Sequence, residues 1–541
     1  MSTAPVYILL SNDGEEDYIL TCDLRLHSRL EQIRNYNKSL VAQGKKSANE
    51  SVEADISDVT ETHNLWVHRR FYPYVSLAHT FLSTQVYSGN ATLAAGGQIS
   101  FDMQYAGEFY NKCCLHLQIT SGTIATAGSA NQYFAWAPFL GHKMLKEVEF
   151  NVNTSQLDKY DTKFMQSRYE FDVKDSTKEA YCRCIGQQTK KEARINQFVS
   201  TAGLVTRTAT GAADGQVPAN GVRLGSLGYE EWQCITDGPQ TRKVTHNAIE
   251  LFIPLWFWWN RESEESFCVL TVPNGQRIVK FTLESLSNLV QMYDLNGNPI
   301  AYDATKWALA PTLATQELLV QNIYINPEIN DVYIDRIGFN LVRLHRYQET
   351  ILNSSQFNER LNLLKWPVEE MRISAIPRDN QTTTTIEDGL TFGYVNPQTV
   401  INAGRWQGDP STAVTVPLTS TYRLVNELLT EITFNIQGMP LYQSMPAKFF
   451  RDFTTASFSE VVHRCSPKAP GWHMINVAQK PGHNQANGHF NISRMRESFI
   501  SGKTQFIGSG EPIAQAILYI AAICLNFTFV TSGNIIIRFI G

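Results

Sequence analysis

Apolar residues recur at every second position through most of the chain. Val148, Phe150 and Val152 alternate with Glu147, Glu149 and Asn151, then meet the turn residues Asn153-Thr154-Ser155. Leu115, Leu117 and Ile119 alternate with His116 and Gln118, and Ile337, Phe339 and Leu341 repeat the pattern, as do Ile432, Phe434 and Ile436. Near the end, Leu525, Phe527 and Phe529 alternate with Asn526 and Thr528; the turn Thr531-Ser532-Gly533-Asn534 and the run Ile535 to Ile540 complete a hairpin. Strands with one buried face, punctuated by Gly, Pro and Asn turns, predict an all-β protein of sandwich or barrel type. The exception is Asp23 to Leu40, where Leu26, Leu30, Ile33 and Leu40 fall at near-helical spacing behind Asp23 as N-cap. Gln43 to Glu61 is polar and reads as a linker. Gly186 to Gly228 and Arg378 to Ser420, the latter with QTTTT at 381–385, predict long surface excursions. The strand-dense remainder forms two large units, one ending near Gln348.

Composition narrows the function. The balance of 46 Lys+Arg against 51 Asp+Glu leaves a net charge of −5, without the basic excess of a protein that tracks nucleic acid. The opening MSTAPVYILLSNDGEEDY has no basic start and its apolar stretch ends at Ser11, so no leader is expected. The longest apolar run, Ala516 to Leu525, has 10 residues, about half of a membrane span. Nine cysteines, an odd number without a C-x-x-C pair, fit free thiols in a reducing cytoplasm; no disulfide or zinc site is expected.

The fragments that invite a chemical reading fail on detail. Ser501-Gly502-Lys503-Thr504 resembles the tail of a phosphate loop, but Glu497 stands where the loop needs glycine and would repel the phosphate. His473, His483 and His489 lack metal-ligand spacing and read as loop histidines with ordinary hydrogen bonds. Cys182-Arg183-Cys184 would put two thiols on one strand face, without a second ligand pair; Cys113-Cys114 would point to opposite faces. Glu369-Glu370 would likewise diverge on a strand, so the two carboxylates cannot flank one glycosidic bond. Trp256-Phe257-Trp258-Trp259 reads as a strand buried on both sides rather than an exposed sugar platform. No catalytic set, metal site or cofactor site emerges. A carbohydrate-binding or carbohydrate-cleaving β-sandwich is the alternative left by composition alone.

Several longer stretches carry a more specific signal: LLSNDGEEDYILTCDLRLHSRLEQIRNYNKS (9–39), ISFDMQYAGEF (99–109), DGPQTRKV (237–244), LFIPLWFWWNRESEESFCVLTVPNGQRIVKFTL (251–283), YINPEINDVYIDRIGFNLVRLHRYQ (324–348), LLKWPVEEM (363–371) and GHFNISRMRESFIS (488–501). In this order they resemble the major capsid proteins of African swine fever virus and related large nucleocytoplasmic DNA viruses. The resemblance implies a double jelly roll, two eight-stranded β-sandwiches side by side, with an N-terminal base segment (1–57), a first jelly roll (58–348), a second (349–541) and long loop insertions. It implies a non-enzymatic tile that forms homotrimeric, pseudo-hexagonal capsomers of an icosahedral shell, made in the host cytoplasm at viral assembly sites. Its partners would be its own copies, neighbouring capsomers, minor capsid and penton proteins and a viral folding chaperone. No direct nucleic acid contact is implied, and an inner membrane would lie nearby without a transmembrane anchor. Leu26, Leu30, Ile33 and Leu40 would then form a base or partner contact.

Overall fold

The structure is a computed structural model that describes residues 35–44, 77–125, 132–153, 155–195, 197–200, 203–206, 221–223, 231–236, 238–272, 275–294, 299–325, 339–382, 386–402, 418–459, 465–483, 486–531 and 534–538. Strands dominate it. A first set comprises β1 (Leu77–Gln85), β2 (Gly97–Asp102), β3 (Phe109–Ile119), β4 (Leu145–Val152), β5 (Ser155–Asp161), β6 (Ile249–Pro254), β7 (Arg277–Leu283) and β8 (Leu313–Ile325). They form two antiparallel sheets with main orders β1-β8-β3-β6 and β2-β7-β4-β5. A second set comprises β9 (Phe339–Leu352), β10 (Gln356–Arg360), β11 (Pro367–Pro377), β12 (Leu429–Ile436), β13 (Met439–Pro446), β14 (Trp472–Asn476), β15 (Ser498–Thr504) and β16 (Ala516–Thr531). Its main orders are β9-β16-β11-β14 and β10-β15-β12-β13, with β17 (Asn534–Ile537) added beside β16. Both sets thus place their strands in the order first-eighth-third-sixth and second-seventh-fourth-fifth. This is an all-β, jelly-roll-like fold.

The alternating pattern explains the cores. Leu115, Leu117 and Ile119 of β3 and Val148, Phe150 and Val152 of β4 are all fully buried, and Ile432 and Phe434 do the same for β12. The β4–β5 turn passes through Asn153 at φ 53°, a left-handed conformation that asparagine tolerates better than most residues. The last hairpin closes with Thr531 opposite Asn534. Gly502 lies where the backbones of β15 and β12 approach closely: a Cβ there would sit 2.1 Å from the Glu431 carbonyl oxygen. Far from cradling phosphate, Ser501 to Thr504 is strand, and Lys503 pairs with Glu431 at 2.7 Å.

Several expectations need correction. On β9 the core-facing residues are Val342 and Leu344, and Leu341 is only half-buried. On β16 it is Asn526 and Thr528 that are buried, while Phe529 is 36% exposed. The cause is that the other row of β16 faces the first strand set, so Ala516 to Leu525 is apolar on both sides and its alternation carries no information. Trp256 to Trp259 is no strand: Trp258–Asn260 is a 3₁₀ turn, though Phe257, Trp258 and Trp259 are buried. Cys182 and Cys184 end a helix, Asp175–Cys184. His473 is a buried residue of β14 rather than a loop residue. Arg378 to Ser420 is not aperiodic, since Tyr394–Asn402 pairs along its length with Leu418–Asn426. Gly186 to Gly228 likewise holds short ladders, Lys190–Ile195 against Glu231–Thr236 and Gln197–Ser200 between Gly203–Thr206 and Gly221–Arg223. Of the N-terminal stripe only Leu40 falls within the described residues, half-buried on a helix over 35–42; Leu26, Leu30 and Ile33 lie outside them. No helix among the described residues is long and apolar enough to cross a membrane.

Candidate functional site: a buried ionic junction

Where β5 ends, Asp161 caps the helix α1 (Thr162–Phe171) by accepting from the Phe164 backbone N–H at 2.9 Å. The cap fixes the direction in which α1 leaves the first strand set, and the helix drives into the outward face of the sheet β9-β16-β11. Seven of its ten residues are buried. Lys163 donates to Glu349 at 2.7 Å and lies over the Tyr519 ring, and the Phe164 ring sits 4.3 Å from that of His345. The Tyr519 hydroxyl donates to Asp161 at 2.5 Å.

At the centre of this contact is a chain of charges. Asp158 of β5 accepts from both the backbone N–H and Nδ1 of His345, at 3.0 and 2.8 Å. Arg168 of α1 approaches His345 Nε2 at 3.1 Å. A guanidinium can only donate, so Nε2 is the acceptor and the imidazole proton sits on Nδ1. Burial lowers the His345 pKa, outweighing the raising effect of Asp158. Arg168 also donates to Asp172 at 2.8 Å, and Asp172 receives two bonds from Arg372 of β11, at 2.9 and 3.1 Å. Arg372 in turn donates to Glu370 at 2.6 Å. Burial, then the neighbouring Arg372, presses Arg168 well below the ordinary arginine value. A second branch has Arg343 of β9 gripping Glu369 through two nitrogens, at 2.7 and 3.3 Å, and reaching Glu265 of the first set at 3.1 Å. Burial works against that charge, but the hydrogen bond and charge of Glu369 outweigh it and leave Arg343 raised.

Glu369 and Glu370 therefore do not diverge as strand neighbours should. A bulge between Val368 and Glu370 interrupts the alternation, and both carboxylates meet arginines of the outward row. Every acid in the cluster is committed to an arginine, a histidine or a backbone N–H. This arrangement clamps two bodies together and leaves no carboxyl pair free for acid–base work. Asp158, Arg168, Asp172, Arg343, His345 and Arg372 escaped the sequence reading. The signal was there in part: Arg343, Glu369, Glu370 and Arg372 interrupt otherwise apolar strands, and buried charges require partners.

The remaining surfaces offer less chemistry. A cleft of about 530 Å³ over β10-β15-β12-β13 is lined by polar side chains such as Gln356, Asn358 and Thr433, and its one aromatic, Phe357, is buried. That gives a sugar ring nothing to stack on. No cluster of His, Cys, Asp or Glu suited to a metal occurs among the described residues.

The jelly-roll-like fold, joined through this ionic cluster, is that of a structural protein, and the comparisons with known proteins say of which kind. Residues 78–326 match the family model described as major capsid protein N-terminus. The chain is 24% identical, over the whole of both sequences, to the major capsid protein of African swine fever virus isolate Warthog/Namibia/Wart80/1980. It superposes on the Faustovirus major capsid protein with a TM-score of 0.69 at 22% identity, covering 96% of this chain and all of that one. A quasi-atomic model of the PBCV-1 virus capsid shares the fold at a TM-score of 0.58 and 13% identity, covering 88% of this chain and all of that one. Along its whole length the chain is thus similar to the major capsid proteins of African swine fever virus and related large DNA viruses. Its place is the capsid shell of the virion.

Proposed function

We propose that the chain is a double jelly roll in which each strand set closes as its own eight-stranded sandwich, and that three copies form a pseudo-hexagonal capsomer of an icosahedral shell. The observation that carries this reading is the strand order, which occurs twice in one chain and gives three chains six like units. The division anticipated at 348/349 is placed in this reading somewhat earlier, ahead of Phe339, which is supported by the pairing of β9 with β16 along its whole length. Within the shell the chain would meet neighbouring capsomers and minor capsid and penton proteins, with residues 1–57, including Leu26, Leu30, Ile33 and Leu40, at the base above the inner membrane. Two sandwiches rich in non-local pairing fold slowly and expose strand edges on the way, which favours help from a viral chaperone.

The hairpin of Tyr394–Asn402 and Leu418–Asn426, with the ladders between residues 186 and 236, is assigned to the outer face, where polar insertions cost little. The stretch before that hairpin is tied down, because Lys143 of the first set donates to the Ile386 carbonyl at 2.9 Å and Ile386 and Phe392 are buried. Light scattering on a sizing column should give three times 61.1 kDa, 183.3 kDa, and negative-stain images should show three-fold particles with a hexagonal outline. A stable monomer at micromolar concentration would sink the trimer.

A further inference from the structure

Both strand sets carry the same appendage. In the first, β5 runs into α1, whose second and third residues are Lys163 and Phe164. In the second, β13 runs into a helix, α3, over 447–459, with a π-helical turn at Phe449–Phe453; its second and third residues are Lys448 and Phe449. The first appendage is seated: Lys163 pairs with Glu349 and Phe164 packs on His345, both on the outward row of the second set's first sheet. The second has no such seat among the described residues. Lys448 is exposed and Phe453, one turn on, is 59% exposed.

The equivalent acceptor is also uncovered. The outward row of β1-β8-β3-β6 presents Phe81, 52% exposed, and Phe252, 36% exposed. His116 stacks on Phe252 at 4.5 Å and bonds Glu250 at 2.9 Å, with Glu317 beside it at 3.6 Å. Aromatic rings, a histidine and carboxylates on a first sheet are the elements that Lys163 and Phe164 meet inside the chain. Among the described residues, each chain therefore satisfies one helix-to-sheet contact and leaves one donor and one acceptor over. Such head-to-tail contacts are heterologous, and they form a ring where the rotation between copies closes.

We propose that the outward face of β1-β8-β3-β6 receives Lys448, Phe449 and Phe453 of α3 from a second copy of this chain. The contact repeats the internal junction without its buried ion cluster, and it rests on the capsomer reading. Lys448 supplies charge complementary to the Glu250 and Glu317 carboxylates.

Two variants test it. One carries Lys448→Glu with Phe453→Asp and loses the donor; the other carries Phe81→Asp with Phe252→Asp and loses the acceptor. Each alone should fall from 183.3 to 61.1 kDa by light scattering. Mixed one to one, the acceptor-dead chain still offers a helix and the donor-dead chain still offers a sheet, so the pair should form a 122.2 kDa heterodimer, twice 61.1 kDa, that cannot close. That complementation also shows that both variants are folded. Trimers that persist in both variants, beside a trimeric unaltered chain, would overturn this contact alone. Two monomers that do not complement would overturn it as well, and a monomeric unaltered chain would remove the capsomer reading with it.

Discussion

β3 and β11 are the third strands of their respective sets and sit in the same place in their sheets, yet they differ throughout. On β3, buried residues alternate with Lys112, Cys114, His116 and Gln118, which reach the surface to varying degrees. On β11 all eleven residues are buried. The sheet architecture is shared, so the difference comes from what lies on top: α1 and its C-cap Asp172 meet β11, whereas among the described residues the outward side chains of β3 reach the surface. A covered outward row can hold Glu370 and Arg372 only because the covering body brings Asp172 to meet them. The uncovered row keeps its carboxylates partly in water.

The strongest break of this comparison is Arg372→Met. It leaves Glu370 buried without its arginine and Asp172 with Arg168 as its remaining arginine, and chemical denaturation should show a loss of about 3–5 kcal/mol. Adding Glu370→Leu should recover part of it, because an apolar pair no longer needs the charge; no recovery would mean that the cluster acts by packing alone.

A second effect tests both units at once. His142 in the first set is fully buried between the Gln166 and Tyr181 side chains, and His473 in the second donates Nδ1–H to the Ala447 carbonyl at 3.2 Å. Burial lowers both pKa values to about 4. The unfolded chain then binds more protons below its own histidine value of roughly 6.5, so stability falls as pH drops from 7 to 5. Asp161 works the other way, because burial raises it to about 6 and its proton is held more tightly in the fold. The net loss should be about 2 kcal/mol, read from denaturation midpoints at the two pH values. His142→Gln should remove most of that loss, because one such histidine contributes about 2 kcal/mol and Asp161 offsets much of the other; an unchanged slope would mean that other groups set it.

On the uncovered face the effect should nearly vanish. Phe252→Ser in a chain kept monomeric should cost no more than about 1 kcal/mol, since the ring is already partly in water. A loss comparable to that of Arg372→Met would show that this face is covered within the chain after all. Smallest of all, reductant should leave the melting temperature unmoved, because Cys113, Cys114, Cys182, Cys184, Cys268, Cys465 and Cys524 are all free. A drop equivalent to about 2–5 kcal/mol would reveal a disulfide elsewhere in the chain.

The strands with one wet face were legible in the sequence. Val148 to Val152, Leu115 to Ile119 and Ile432 to Ile436 announce both their conformation and their buried side, and Asn153 announces the turn. Legibility fails where a strand is buried on both faces. Along Ala516 to Leu525 either row could face the core, and the choice is made by a helix some 350 residues upstream. The carboxylates Glu369 and Glu370 drew notice as a pair, but a one-residue bulge decides their direction and no residue pattern encodes it. The ladders at 394–426 have no apolar side to reveal them.

The position of β16 has a further consequence. It follows β9, β11 and β14 in the chain, yet it fills the gap between β9 and β11 at the middle of its sheet. Until Ala516 to Thr531 has been made, β9 and β11 have no common neighbour and the seat for α1 lacks Tyr519. A chain that stopped before Ala516 would therefore lack the joined first sheet of the second set and, with it, the internal joint. Placing the closing strand after the strands it joins makes the sheet a late checkpoint: copies that stop before it fail at the level of the single molecule, before they can be built into a shell and weaken it.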